Sequence, residues 1–166
     1  KSAGEKYVVV GCGFTFFERM HYMRGMPELF VDLYENPRQV HELAQRVIAF
    51  PIGVAAEVGK RFRGQIHGFS MTDDWGTQQA AYTSIPMFRE FFMPGMAKVM
   101  AAAHEEGALV LKHSDGNIWT LIDSFIEAGA DAINPLEPIA DMELARAKRL
   151  YGHKVCLVGN VDCGYI

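Results

Sequence analysis

Four stretches of this chain end an apolar run in side chains able to move protons or hold cations. In residues 108–117, ALVLKHSDGN, the run stops at His113, Ser114, Asp115 and Gly116, with Asn117 just beyond. An imidazole two residues from a carboxylate can exchange a proton near neutral pH or bind a divalent ion through nitrogen and oxygen. The stretch QIHGFSMTDDW closes on Asp73, Asp74 and Trp75. Two adjacent carboxylates there are either a solvated turn or a functional pair. ADAINPLEP brings Asn134 and Glu137, and KVCLVGNVD brings Asn160 and Asp162. His113 alone would read equally well as a satisfied core or loop histidine. Recurrence of the pattern at successive strand ends is what makes these residues candidates for one site.

Such groups act together only if the preceding elements share a sheet. YVVVG at residues 7–11 is β-branched and unbroken, the expected first strand. The GCG after it lacks the third glycine of a dinucleotide fingerprint, because Phe16 stands there, so close backbone approach to a pyrophosphate is not supported. FTFFERMHYMRGM reads as a loop and short helix over the core. Asn36 is expected to cap a long helix, with Pro37 in its first position and Gln39 reaching back. Its stripe of Val40, Leu43, Ala44, Val47 and Ile48 resumes at Ile52, with Pro51 as an expected kink. Ser84 and Pro86 open the next helix, with Pro94 as a kink or break, and its Phe88, Phe92, Met96 and Met100 face reads as core. Ile118, Leu121, Ile122, Phe125 and Ile126 form a further stripe that Gly129 ends. Asp141 is expected to cap the last helix, MELARAKRLYG.

The resulting order is strand and helix in strict alternation, and the junctions EEGALVL, EAGADAI and LYGHKVCL repeat one form. That alternation implies right-handed crossovers and a parallel sheet under helices. Polar groups at every strand end suit the top of a (β/α)₈ barrel of the TIM type better than a doubly wound sheet, whose site gathers at one switch point. Five strands are fewer than such a barrel needs. The expected fold is therefore α/β, a partial TIM-type barrel domain over residues 1–166, truncated at both ends. Its edge strands, YVVVG and KVCLVG, carry little charge to discourage pairing, so a homo-oligomer or a longer chain is expected.

A net charge of −4 and a pI near 5.9 leave no basic footprint for nucleic acid or an anionic membrane. No apolar run approaches the ~18 residues of a membrane span, and no signal-peptide pattern opens the chain. Cys12, Cys156 and Cys163 are odd in number and unevenly spaced, which suits free thiols and a cytoplasmic location. The partner class left is a small-molecule substrate.

From about Val10 onward the chain resembles the uroporphyrinogen decarboxylase superfamily. The residues that carry the likeness are GNVD at 159–162, the unit from HSDGNI through IEAGADAINPLEP, and DDWGTQ before SIPMFREFFMPGM. FERMHYMRGM looks more like the methyltransferase-like branches. The likeness spans nearly all of this chain but only the middle of the family's length. It implies a (β/α)₈ enzyme of porphyrin biosynthesis or of corrinoid methyl transfer, and it places His21 or Tyr22 near the family's substrate-contacting tyrosine.

Departures from the family pattern bear on activity. The decarboxylases' first-strand aspartate and arginines, and the histidine near the last strand, lie in segments absent from this chain. Asp73-Asp74-Trp75 stands where the bacterial pattern reads Asp-Ser-Trp, and a second carboxylate there repels a polycarboxylate substrate. The methyltransferases hold zinc by a His-x-Cys pair and a later cysteine, whereas this chain has His113-Ser114-Asp115.

Three readings follow. The first is a decarboxylase-like carboxy-lyase on a tetrapyrrole-related or similar small molecule, needing no cofactor. In it Asp74, His113 and Asp115 do the chemistry, and Asp73, Trp75, Asn117, Asn134, Glu137, Asn160 and Asp162, with His21 and Tyr22, contact substrate. The second is zinc-assisted methyl transfer or demethylation with His113 as a metal ligand. The third is an inactive partial barrel or oligomerising fragment.

Overall fold

The computed structural model describes residues 5–165. Strands β1 (Val9–Phe14), β2 (Gly68–Thr72), β3 (Leu109–His113), β4 (Ala132–Asn134) and β5 (Cys156–Leu157) form one sheet in the order β1-β2-β3-β4-β5. Every pairing is parallel, as the alternation of elements requires. The register sets Thr72 beside His113 and His113 beside Asn134. The carboxyl ends of the central strands are thus level, and residues just past them meet across the sheet.

Helices α1 (Phe17–Arg24), α2 (Met26–Glu35), α3 (Pro37–Arg61), α4 (Ile85–Met87), α5 (Met93–Glu105), α6 (Ile122–Ala128) and α7 (Leu144–Tyr151) make the crossovers. Side chains alternate between the faces of a strand. Phe69, Met71, Val110 and Ile133 are buried in the helix-covered core. On the other side Val9 and Leu109 are 43% and 53% exposed, and with Leu111 and Ala132 they line a shallow apolar hollow. That is the face a closed barrel would enclose. Under the site, Phe17 stacks on Trp75 with centroids 4.5 Å apart, and Phe88 and Phe92 meet the same indole edge-on at 4.7 and 4.9 Å. This fully buried aromatic group joins α1, the loop after β2 and the turn Phe88–Phe92 that leads into α5.

Several local expectations give way to tertiary contacts. Asn36 does not cap α3, because its amide donates to Asp32 Oδ1 at 2.9 Å. Asp32 is buried and also accepts from Arg24 Nε at 2.6 Å, and satisfying that carboxylate outweighs a local cap. Asp141 does not cap α7 either. It ends the turn Pro138–Ala140 in the left-handed region, and its backbone carbonyl accepts from Trp119 Nε1 at 2.9 Å. Helix α3 continues through Pro51 as one 25-residue element. At Pro94 the chain uses a π-turn, Phe88–Phe92, with the Met93 N–H donating to the Phe88 carbonyl, an offset that accommodates the proline. Strand β1 runs past Gly11 through the GCG to Phe14, while the stripe beginning at Ile118 becomes helical only at Ile122. The Ser84 cap on Met87 N and the left-handed Gly129 stop are as expected.

Gly116 shows how tightly the loops past β2 and β3 meet. Its φ is +85°, and an added Cβ would lie 2.3 Å from the Gly76 carbonyl oxygen. Gly13, at φ +72°, has nothing within 4 Å of that position. Gly116→Ala should therefore lower unfolding free energy by more than about 2 kcal/mol, and Gly13→Ala by only about 1 kcal/mol, in urea titrations. Equal losses would show that backbone strain, not loop contact, governs both positions.

Candidate active site

The site is built outward from Asp73. This residue follows β2, is fully buried, and its carboxylate accepts from the backbone N–H groups of Phe16, Phe17 and Glu18 at 3.4, 2.9 and 2.8 Å. Those are donors that a helix start leaves unpaired, and Phe16 has no side-chain oxygen to satisfy them. A carboxylate from another strand therefore caps α1. Burial pushes the Asp73 pKa up, opposed first by the Lys112 charge and then by the backbone donors.

Lys112 lies one residue before the end of β3 and is also fully buried. Its Nζ donates to the Asp73 carbonyl at 2.7 Å and to the His113 carbonyl, and it sits 5.2 Å from the Phe125 ring centroid. Burial lowers its pKa to about 8, against the pull of Asp73, Asp74 and Glu18. One ammonium thus ties the ends of β2 and β3 together.

On this frame, His113 Nε2 lies 3.6 Å from Asp74 Oδ1 and 3.5 Å from Asp115 Oδ1. Asp74 Oδ1 also accepts the Asp115 N–H at 2.9 Å, which fixes the two carboxylates relative to each other. The Asn134 amide nitrogen stands 3.3 Å from His113 Nδ1. With Asn134 donating there, Nδ1 is the acceptor and the ring proton sits on Nε2, aimed at the carboxylates. Glu137 Oε2 accepts the Gly116 N–H at 2.7 Å, and Ser114 Oγ accepts the Trp75 N–H at 2.9 Å. Burial, Asp74 and Glu137 raise the Asp115 pKa, with His113 opposing.

Glu18, in the first turn of α1, completes the group. It is 6% exposed, and its Oε2 accepts the Asp74 N–H at 3.3 Å. Burial first, then Asp74 and Asp73, raise its pKa to about 7. Burial and the same Asp74 and Glu18 charges raise that of Tyr82.

The candidates named from sequence separate into two sets. Asp74, His113, Asp115, Asn134 and Glu137 come together, and Asp162 lines the same hollow as His113, Asp115 and Glu137. The polar groups of others serve the frame. Asn117 Nδ2 donates to the Ala140 carbonyl at 3.0 Å, and Asn160 Nδ2 donates to the Leu136 and Met142 carbonyls, each at 2.7 Å. Trp75 is fully buried among aromatics, and Asp73 is neither a solvated turn residue nor open to a ligand. His21 packs on Phe17 and Tyr22, with burial lowering its pKa, while Tyr22 is 62% exposed beside Phe14. Glu18 and Lys112 escaped sequence reasoning. A lysine inside the apolar run LVLKH was the available signal for one, and Glu18 had none.

Asp74, His113 and Asp115 each bring one donor atom within 4.8 Å of the others. The zinc implied by the methyltransferase likeness needs thiolates that bind it and exchange with a substrate thiol. One imidazole and two carboxylates do not fit that group, and no cysteine joins this cluster among the described residues. Zinc added at one equivalent should be removed completely by dialysis against a chelator. One zinc retained per chain would overturn this reading of the donor set.

Parallel strands under helices, with polar side chains collected past the carboxyl ends, define a partial (β/α) barrel. The chain belongs to the uroporphyrinogen decarboxylase (URO-D) family, whose model matches residues 3–166. It is 27% identical over 135 residues to uroporphyrinogen decarboxylase of Pseudomonas fluorescens, covering 78% of this chain and 35% of that protein. Against the Shewanella pealeana uroporphyrinogen decarboxylase it is 27% identical over 161 residues, covering 94% and 40%. A methyltransferase from Methanosarcina mazei superposes with a TM-score of 0.76 at 15% identity, covering 93% of this chain and 43% of that one, a likeness of fold. The chain thus spans well under half the length of these relatives. No helix among the described residues is long and apolar enough to cross a membrane.

Proposed function

We propose that this chain carries a proton-transfer site for carboxy-lyase chemistry on a small molecule with few negative charges. The observation that supports it is His113 set 3.6 and 3.5 Å from Asp74 and Asp115 at the strand ends. Decarboxylation of an activated carboxylate breaks the bond to CO₂ and leaves an electron pair on carbon, which one proton converts to C–H. A site for it must hold a proton near neutral pH and aim it at that carbon. His113 supplies an N–H between two carboxylates, and burial with the Asp74 and Glu137 charges raises the Asp115 pKa beside the same hollow.

Charge selects the substrate. Asp115, Glu137 and Asp162 border the hollow, Asp74 stands behind Asp115 with its Oδ1 on the Asp115 N–H, and neither lysine nor arginine lines the hollow among the described residues. A polycarboxylate would meet like charge at each of these positions. The reading therefore departs from the tetrapyrrole substrate named for the relatives, and it needs no metal or organic cofactor. The homo-oligomer and the cytoplasmic location expected from sequence remain part of the proposal.

The test is release of labelled CO₂ from carboxyl-labelled pyrroleacetic and indoleacetic acids, with uroporphyrinogen as the comparison. We expect turnover of the mono-acids that His113→Ala and Asp74→Asn each reduce by about 10²-fold or more. Turnover that ignores both substitutions, or a clear preference for uroporphyrinogen, would contradict the proposal.

A further inference from the structure

Glu18 is a buried acid that the chemistry above leaves unused. Its position is set by two strands. Asp73 accepts the Glu18 N–H at 2.8 Å, and Glu18 Oε2 in turn accepts the Asp74 N–H at 3.3 Å. The exchange locks the first turn of α1 against the loop that carries Asp74, so the carboxyl group is held at the margin of the His113 cluster rather than swinging in solvent. Its second oxygen, Oε1, has no donor among the described residues. Among the described residues the sealed side-chain atoms without partners are Trp75 Nε1, Thr83 Oγ1 and Asn134 Oδ1, and Glu18 Oε1 is not one of them. One carboxylate oxygen is therefore held by a backbone donor, and the other has none among the described residues.

The groups facing it all bear on that proton. Asp73 and Asp74 past β2 repel a negative charge on Glu18, Lys112 from β3 attracts it, and Tyr82 lies close enough for its own ionisation to be opposed by Glu18. Burial and the two aspartates outweigh the lysine. A carboxyl group in such surroundings holds its proton to higher pH than a solvated one.

We propose that Glu18 is the proton donor of this site, delivering the proton from Oε1 to the carbon that releases CO₂. In that step the Glu18 O–H bond breaks and the C–H bond forms with the electron pair left by the departing CO₂. Glu18 becomes a carboxylate and is reprotonated from solvent. The assignment rests on the proton-transfer reading of the cluster and adds to it the residue that gives the proton.

The test uses the full chain in two measurements. Carbon-detected titration of the side-chain carboxyls should show Glu18 with a midpoint of about 7, moving down in Asp74→Asn; a midpoint near 4.5 overturns the proposal. Between those values the folded chain keeps a proton that the unfolded chain has released. Folding stability therefore falls as pH rises through that window, and Glu18→Gln removes the fall. In the labelled-CO₂ assay, Glu18→Gln should lower kcat by about 100-fold or more and abolish the decline in rate above neutral pH, and Glu18→Asp should restore part of both. Turnover abolished by His113→Ala but unchanged in rate and pH profile by Glu18→Gln would refute the donor while leaving the proton-transfer site standing. No CO₂ release from the wild-type chain on any of the acids would refute that site and the donor with it.

Discussion

The carboxylate of Asp73 inside the protein is the constraint on which the rest of the site depends. A buried carboxylate is costly unless its lone pairs are occupied, and here three backbone donors of a helix start occupy them. The helix gains a cap that its own sequence does not provide, and the strand end gains a fixed partner. Lys112 balances the charge from the next strand while binding the carbonyls on either side of the gap. Removing either partner would leave the other charge buried and uncompensated, a loss of several kcal/mol in comparable pairs. Two fully buried charges thus determine where the half-buried ones around His113 are placed.

From that frame the electrostatics follow. Carboxyl groups gathered at the ends of parallel strands, partly withdrawn from water, raise one another's affinity for protons. Glu18 and Asp115 are both shifted in that direction, by burial first and by neighbouring carboxylates second. The imidazole of His113 stands where it relieves this repulsion, and Asn134 orients the ring from the next strand. Such an arrangement suits the proposed proton transfer, and among the described residues no thiolate joins it.

Much of the architecture was legible in the sequence because β-α alternation and strand-end polarity are local patterns with few topological solutions. The sheet order and the meeting of Asp74, His113 and Asp115 follow from them. Local rules misled where a tertiary partner competed. Asn36 and Asp141 have the chemistry of helix caps, but a buried Asp32 claims one, and a left-handed turn bonded to Trp119 places the other outside the helix start. Asp73 and Asp74 are adjacent letters with opposite fates, because successive residues past a strand face opposite sides: one enters the helix-covered core and the other turns to His113. Glu18 was illegible because its role depends on a contact 56 positions away in the chain. The family likeness read from GNVD and HSDGN is now a membership.

With Asn134 donating to Nδ1, His113 presents its ring N–H at Nε2 to Asp74 and Asp115. Long-range nitrogen–proton correlation of the His113 ring measures this directly. The expected result is a proton on Nε2 and, on Nδ1, the shift of a hydrogen-bond acceptor that changes in Asn134→Ala. A ring carrying its proton on Nδ1, with Nε2 bare toward the carboxylates, would contradict it.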